Sequence, residues 1–128
     1  MIVDTSAILA MLLGEPDQQP IAEKFESARP RRMSAANWVE LSIVLDRRDA
    51  PALPEMLARL LALRPLEIAA VTPDQALLAA EAHRRFGKGN HPARLNFGDC
   101  FAYALAKATG EPLLYKGSDF AQTDIAAA

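Results

Sequence analysis

Four acidic residues stand at positions where the local sequence gives no structural need for an acid. They are Asp4, Glu40, Asp99 and Asp119. Asp4 directly follows one short apolar run, and Asp119 lies shortly after another. Taken one at a time, each acid has an ordinary interpretation as a helix cap, a helix-end charge or a turn residue. Taken together, they predict a carboxylate cluster if the fold brings them to one place.

A cluster of four carboxylates favours a hard divalent cation. Converging carboxylates repel one another, and Mg²⁺ or Mn²⁺, which prefer oxygen ligands, would neutralise them. Zinc is not indicated, because the chain has no Cys-x-x-Cys or His-Glu-x-x-His pattern and its two histidines, His83 and His91, have no other soft ligand beside them. With no nucleotide-cofactor fingerprint in the chain, phosphate-ester hydrolysis at a metal site is the chemistry that these residues favour.

Short apolar strands that alternate with helices must position the four acids. Apolar periodicity and turn residues predict strands over residues 2–3, 66–71 and 112–115, the second of them buried, and a helix cap at Ser34 or Asn37. Helices are predicted over residues 7–13, 19–28, 38–45, 51–64, 73–86 and 97–109. This alternation predicts an α/β fold with a short parallel sheet covered on both faces, and ligands bind such sheets beyond the carboxyl ends of the strands.

The composition predicts one domain, spanning residues 1–128. Its 128 residues are 51% apolar and 23% charged, and its net charge of -2 excludes a globally basic nucleic-acid binder. The lone Cys100 has no disulfide partner, and no apolar run approaches the roughly 20 residues that span a bilayer. We therefore expect a cytoplasmic protein without a membrane partner, with Cys100 as a small buried side chain.

One segment carries a local positive charge. From His83 to Arg94 the chain has Arg84, Arg85 and Lys88 and no acid at all. The segment could be an ordinary solvated loop, but its position just before the Asp99 helix favours contacts to nucleic-acid phosphates, which Lys and Arg make without regard to sequence.

Segments 2–7, 33–40, 95–101 and 114–120 resemble, in order and spacing, the four acidic motifs of PIN-domain ribonucleases. The resemblance is to the VapC toxins of bacterial toxin-antitoxin pairs, and segment 84–92 is similar to one VapC subgroup. It implies a Rossmann-like three-layer α/β/α sandwich and Mg²⁺-dependent cleavage of RNA. It further implies a homodimer, and inhibition by a VapB antitoxin that lies over the active groove.

The same resemblance implies roles for individual residues. The four acids match the catalytic acids of the family, with Asp4 and Asp99 as direct Mg²⁺ ligands and the other two acting through water. Thr5 or Ser6 matches a hydroxyl that orients metal-bound water or the scissile phosphate, although either residue could simply cap the following helix. Asp124 matches an acid that recurs near the end of the subgroup.

Three other classes of protein share part of this pattern. A phosphoacceptor receiver domain would use Lys116, but the strand at 66–71 ends in Thr72 and Pro73 instead of an acceptor Asp. A haloacid-type phosphatase needs Asp-x-Asp after the first strand, where this chain has Asp4, Thr5 and Ser6. A catalytically silent module that keeps the PIN fold and binds nucleic acid or protein is the third alternative.

Overall fold

The computed structural model describes all 128 residues and contains four strands and six helices. The strands are β1 (Ile2–Val3), β2 (Arg32–Ser34), β3 (Glu67–Ala69) and β4 (Leu113–Leu114). The helices are α1 (Thr5–Leu13), α2 (Gln18–Ser27), α3 (Ala35–Asp46), α4 (Ala52–Leu63), α5 (Pro73–Phe86) and α6 (Phe97–Thr109), and a 3₁₀ turn covers Phe120–Gln122. The six predicted helices are confirmed, and β2 is a strand that the sequence did not predict.

The strands form one parallel sheet in the order β3-β2-β1-β4. Successive strand residues point to opposite faces, so Ile2 and Leu113 enter one core while Val3 and Leu114 enter the other. Helices α5 and α6 cover the first face, and α1 to α4 cover the second. The predicted three-layer α/β/α sandwich is therefore confirmed.

A strand was predicted at residues 66–71 and is present, but the prediction that it is buried was wrong. The observed strand β3 is shorter and pairs only with β2, so it forms an edge of the sheet. Its central residue, Ile68, is 47% exposed. An apolar run identifies a strand, but it does not reveal whether a second strand lies beside it.

Polar side chains cap the starts of three helices, α1, α5 and α6. The Thr72 hydroxyl accepts the backbone N–H of Gln75 at 3.2 Å and begins α5, as the sequence predicts. Ser34, not Asn37, precedes α3.

Cys100 is buried as expected, which raises the pKa of its thiol to about 11. None of the helices has the length and apolar character needed to cross a membrane.

Candidate active site

Asp4 joins β1 to α1 and is 3% exposed. Its Oδ2 accepts the Ser6 backbone N–H at 2.9 Å and the Ser6 hydroxyl at 2.6 Å, which caps the helix. The same hydroxyl accepts the backbone N–H of Lys116 at 3.0 Å. Ser6 thus ties Asp4 to the chain that leaves β4, and the two predicted strand-end segments meet at one edge of the sheet.

Glu40 lies in the second turn of α3 and reaches across to α1. Its Oε2 accepts the Thr5 hydroxyl at 2.7 Å. Its carboxylate also lies against Gly98 on α6, where an added Cβ would be 2.3 Å from Glu40 Oε1. Three elements therefore meet at this carboxylate, and a side chain at position 98 would displace it.

Asp99 lies in the first turn of α6, where it forms a capping box with Asn96. Its Oδ2 accepts the Asn96 backbone N–H at 2.8 Å. Burial and, to a smaller extent, the charges of Asp4, Asp119 and Glu40 raise the pKa of Asp99 to about 7, against the opposing Asn96 hydrogen bond. The structure therefore brings the four acids close enough to oppose the ionisation of Asp99.

The pKa of Asp4 is also raised. Burial is the main cause and the charge of Glu40 raises the pKa further, while the hydrogen bonds from Ser6 lower it. Asp119 precedes the 3₁₀ turn, is exposed, and makes no hydrogen bond with its side chain. The cluster thus has a buried side at Asp4 and a solvent-facing side at Asp119.

The donor set fits a hard divalent cation, although no three His, Cys, Asp or Glu side chains are grouped tightly enough in this structure to enclose one. Three buried polar atoms have no hydrogen-bond partner: Asp4 Oδ1, Ser34 Oγ and Asn37 Oδ1. Such atoms are rare in proteins. Asp4 follows β1, Ser34 ends β2, and Asn37 lies in the first turn of α3. A bound divalent cation would coordinate the free carboxylate oxygen of Asp4 and reduce the repulsion between the acids.

Asn37 is a site residue whose role the sequence did not reveal. It is fully buried, and its Nδ2 donates to the Gly98 carbonyl at 3.0 Å, which joins α3 to α6 beside Glu40. The sequence interpretation treated Asn37 as a helix cap. A better signal was its position within the apolar helix that carries Glu40, because a buried amide requires a partner from elsewhere in the fold.

The predicted phosphate-binding residues have unequal surroundings. Arg84 pairs with Glu81 within α5 at 2.8 Å, and Arg85 pairs with Asp124 at 3.4 Å. Lys88 makes no ion pair or side-chain hydrogen bond. Two of the three cations are therefore held by acids of the same chain.

Asp124 has several partners near the end of the chain. Besides Arg85, it accepts the Tyr103 hydroxyl at 2.7 Å and pairs with Lys107 at 3.0 Å. Arg85 lies on α5, and Tyr103 and Lys107 lie on α6, so these contacts attach the tail of the chain to both helices. In this structure Asp124 serves as a tether for the tail.

Comparison with known proteins finds matches over nearly the whole chain. The family model for the PIN domain matches residues 1–126. Ribonuclease VapC42 of Mycobacterium tuberculosis is 51% identical over 126 residues, which are 98% of this chain and 96% of that protein. Ribonuclease VapC30 of the same species is 44% identical over the same number of residues, with the same two coverages.

Solved structures show the same fold at low sequence identity. The VapC20 toxin of Mycobacterium tuberculosis, described as cleaving the sarcin-ricin loop, superposes with a TM-score of 0.73 at 20% identity, over 99% of this chain and 97% of that one. A toxin-antitoxin complex from Klebsiella pneumoniae gives a TM-score of 0.71 at 17% identity, over 99% and 95% of the two chains.

Proposed function

This chain belongs to the PIN-domain family, and we propose that it is a VapC-type endoribonuclease, the toxin of a toxin-antitoxin pair. The observation that carries the proposal is the convergence of Asp4, Glu40, Asp99 and Asp119 at one edge of the sheet, which raises the pKa of Asp99 to about 7 through burial and like charge. The ribonuclease names of relatives 51% and 44% identical over nearly the whole chain support the same function.

The proposed cofactor is Mg²⁺, with Mn²⁺ as a substitute. Asp4 and Asp99 would hold the ion directly, and Glu40 and Asp119 through water. When bound, a divalent ion supplies an activated water nucleophile and stabilises the leaving oxygen of the phosphodiester. The unpartnered Oδ1 of Asp4 and the all-oxygen donor set support this assignment.

The surrounding residues hold the acids in place. The Ser6 hydroxyl and N–H orient the Asp4 carboxylate, and the Thr5 hydroxyl orients Glu40. Because both hydroxyls bind protein groups, we assign Thr5 and Ser6 primarily to positioning the acids, with contact to the scissile phosphate as a second role. Asp99, with a pKa near 7, holds a proton in part of the metal-free molecules at neutral pH.

The proposed partners are RNA, a VapB-type antitoxin and a second copy of the chain. The fold shared with a chain of a toxin-antitoxin complex supports the antitoxin. Exposed apolar side chains beside the site support association between copies: Phe97 is 78% exposed and Val39 is 56% exposed, and both line a groove of about 470 Å³ between α3 and α6. We place the protein in the cytoplasm, in keeping with its single, reduced and buried Cys100.

Cleavage of total cellular RNA by the purified, antitoxin-free chain tests this proposal. With Mg²⁺ we expect new ends that carry a 5′-phosphate and a 3′-hydroxyl, because water is the nucleophile. Chelation of the metal and the Asp4→Asn variant should each abolish them. Ends with a 2′,3′-cyclic phosphate would instead identify the RNA 2′-hydroxyl as the nucleophile and contradict the metal assignment. RNA left intact with Mg²⁺ would favour the silent PIN-fold module.

A further inference from the structure

The segment from Gly87 to Leu95, here called the basic loop, has a closely hydrogen-bonded backbone. Its ends form a parallel bridge, and the Lys88 N–H donates to the Leu95 carbonyl at 3.0 Å. Within it, the His91 N–H donates to Gly87 at 3.1 Å and the Arg94 N–H donates to His91 at 3.0 Å. These bonds hold the loop in one shape without help from its charged side chains.

The basic loop lines an open concavity of about 480 Å³. The lining residues are Lys88, Gly89, Asn90, His91, Pro92 and Arg94, with no acid among them. The charged ends of Lys88 and Arg94 make no ion pair or hydrogen bond within the chain. The preceding cations differ, because Arg84 and Arg85 are already paired with Glu81 and Asp124.

Arg94 is the one residue other than glycine with a positive φ, at 56°. This left-handed conformation is unfavourable for a side chain with a Cβ, and glycine would adopt it without strain. The Arg94 side chain makes no ion pair or hydrogen bond within the chain that would compensate for this strain. Strain of this kind concentrates at functional positions, where a particular side chain is needed in a particular place.

We propose that the basic loop binds a backbone phosphate of the RNA substrate through Lys88 and Arg94. His91 adds a polar ring atom, because its Nδ1 accepts the Ala93 N–H at 3.1 Å and its Nε2 has no partner in the chain. Arg94 precedes Asp99 by five residues, so their Cα atoms are at most about 18 Å apart. The loop therefore contacts RNA within a few nucleotides of the scissile bond. This inference rests on the proposed ribonuclease function.

Salt-dependent RNA binding by the full chain tests the inference. The probe is a mixed-sequence single-stranded RNA, with metal chelated to prevent cleavage, and the test variant is Lys88→Ala with Arg94→Gly. The control is Arg29→Ala with Arg48→Ala, which removes the same charge from exposed, unpaired positions elsewhere. The test variant should flatten the plot of log affinity against log salt by about 0.7 units, the contribution of one phosphate, and bind roughly five-fold more weakly at 0.1 M salt. The control should retain most of the parent's slope.

Thermal melts and cleavage assays separate the possible failures. We expect Arg94→Gly alone to melt at or above the parent, because it removes the left-handed strain. A large fall in its melting temperature would make Arg94 structural and overturn the inference. If the double variant binds as the control does while the parent still cuts RNA, only the loop assignment fails. If the parent neither binds nor cuts RNA, the proposed function fails. Polyglutamate that binds as tightly as RNA of equal charge would make an acidic protein segment the ligand, which also overturns the inference.

Discussion

Replacing Asp99 with Asn separates a metal site from a helix cap. Asp99 lies in the first turn of α6, and its Oδ2 accepts the Asn96 N–H at 2.8 Å. An asparagine oxygen accepts that same bond, so the capping box persists in the variant. The substitution therefore removes one charge from the acid cluster while it leaves the local hydrogen bonds in place.

The expected gain in stability follows from the pKa of Asp99. Burial, together with the charges of Asp4, Asp119 and Glu40, raises it from 3.8 to about 7. At about 1.36 kcal/mol per unit, ionising Asp99 destabilises the metal-free parent by at most about 4 kcal/mol above pH 7. The variant avoids this cost but loses the attraction between Asp99 and the helix N-terminus, about 0.3 to 1 kcal/mol. We therefore expect metal-free Asp99→Asn to be more stable than the parent at pH 8, by up to about 3 kcal/mol.

The dependence on pH has a definite sign. A carboxyl group whose pKa is raised on folding binds its proton more tightly in the folded state. The resulting stabilisation is complete below the unfolded pKa of Asp99 and disappears as the pH rises through about 7. The metal-free parent should gain about 2 to 3 kcal/mol from this group between pH 8 and pH 5, and the Asp99→Asn variant should lack that gain.

Urea unfolding at several pH values and thermal melts across a Mg²⁺ series test both parts. Saturating Mg²⁺ at a hundred times its dissociation constant stabilises the parent by about 2.7 kcal/mol, and the variant should show little of this response. Asp74→Asn is the matched control, because Asp74 is also a first-turn acid but lies exposed on α5. An Asp99→Asn variant that is less stable at pH 8 and responds normally to Mg²⁺ would refute the reasoning and reduce Asp99 to a helix-end charge.

Two further substitutions test the framework around the site. Gly98→Ala places a Cβ 2.3 Å from Glu40 Oε1, so we expect at least about a ten-fold loss of RNA cleavage, because small displacements of catalytic groups are costly; an unchanged rate would show that Glu40 is not needed where it lies. The second substitution is Asp124→Asn. Partial burial acts to raise the pKa of Asp124, but hydrogen bonds from Tyr103 and Lys107 lower it to about 2. Its stabilising contribution is thus complete above about pH 4 and is lost as the pH falls toward 2, and Asp124→Asn should flatten urea-measured stability over that interval.

Local signals in the sequence were sufficient to predict the helices and to find the acids. Thr72 before Pro73 and Gly110 after Thr109 are cap residues whose effect depends only on neighbouring backbone. The strand ends could be aligned because parallel strands place their carboxyl ends at the same edge. This is why the acids could be assigned to one place before their contacts were known.

Contacts between distant segments were beyond the reach of the sequence. The pairing of Arg85 with Asp124 spans 39 residues, and the bond from Asn37 to Gly98 spans 61. Contacts of this kind occur at no characteristic sequence separation. The sequence therefore does not show whether an arginine is paired with an acid. The assignment of phosphate contacts among Arg84, Arg85 and Lys88 therefore required the structure, which leaves only Lys88 unpaired.

The same structural elements that assemble the acid cluster also keep it from relaxing. Asp4 directly follows β1, whose two residues are fully buried in opposite cores, and Asp99 begins α6, whose body packs in one of those cores. Moving either acid away from the others would require displacing a strand or helix from close-packed surroundings, which is costly. Hydrogen bonds from the Asn96 N–H and the Thr5 hydroxyl further restrain the carboxylates of Asp99 and Glu40. A cation would therefore bind carboxylates whose backbone positions are already fixed. Its binding would increase the stability of the folded protein without having to fold the site.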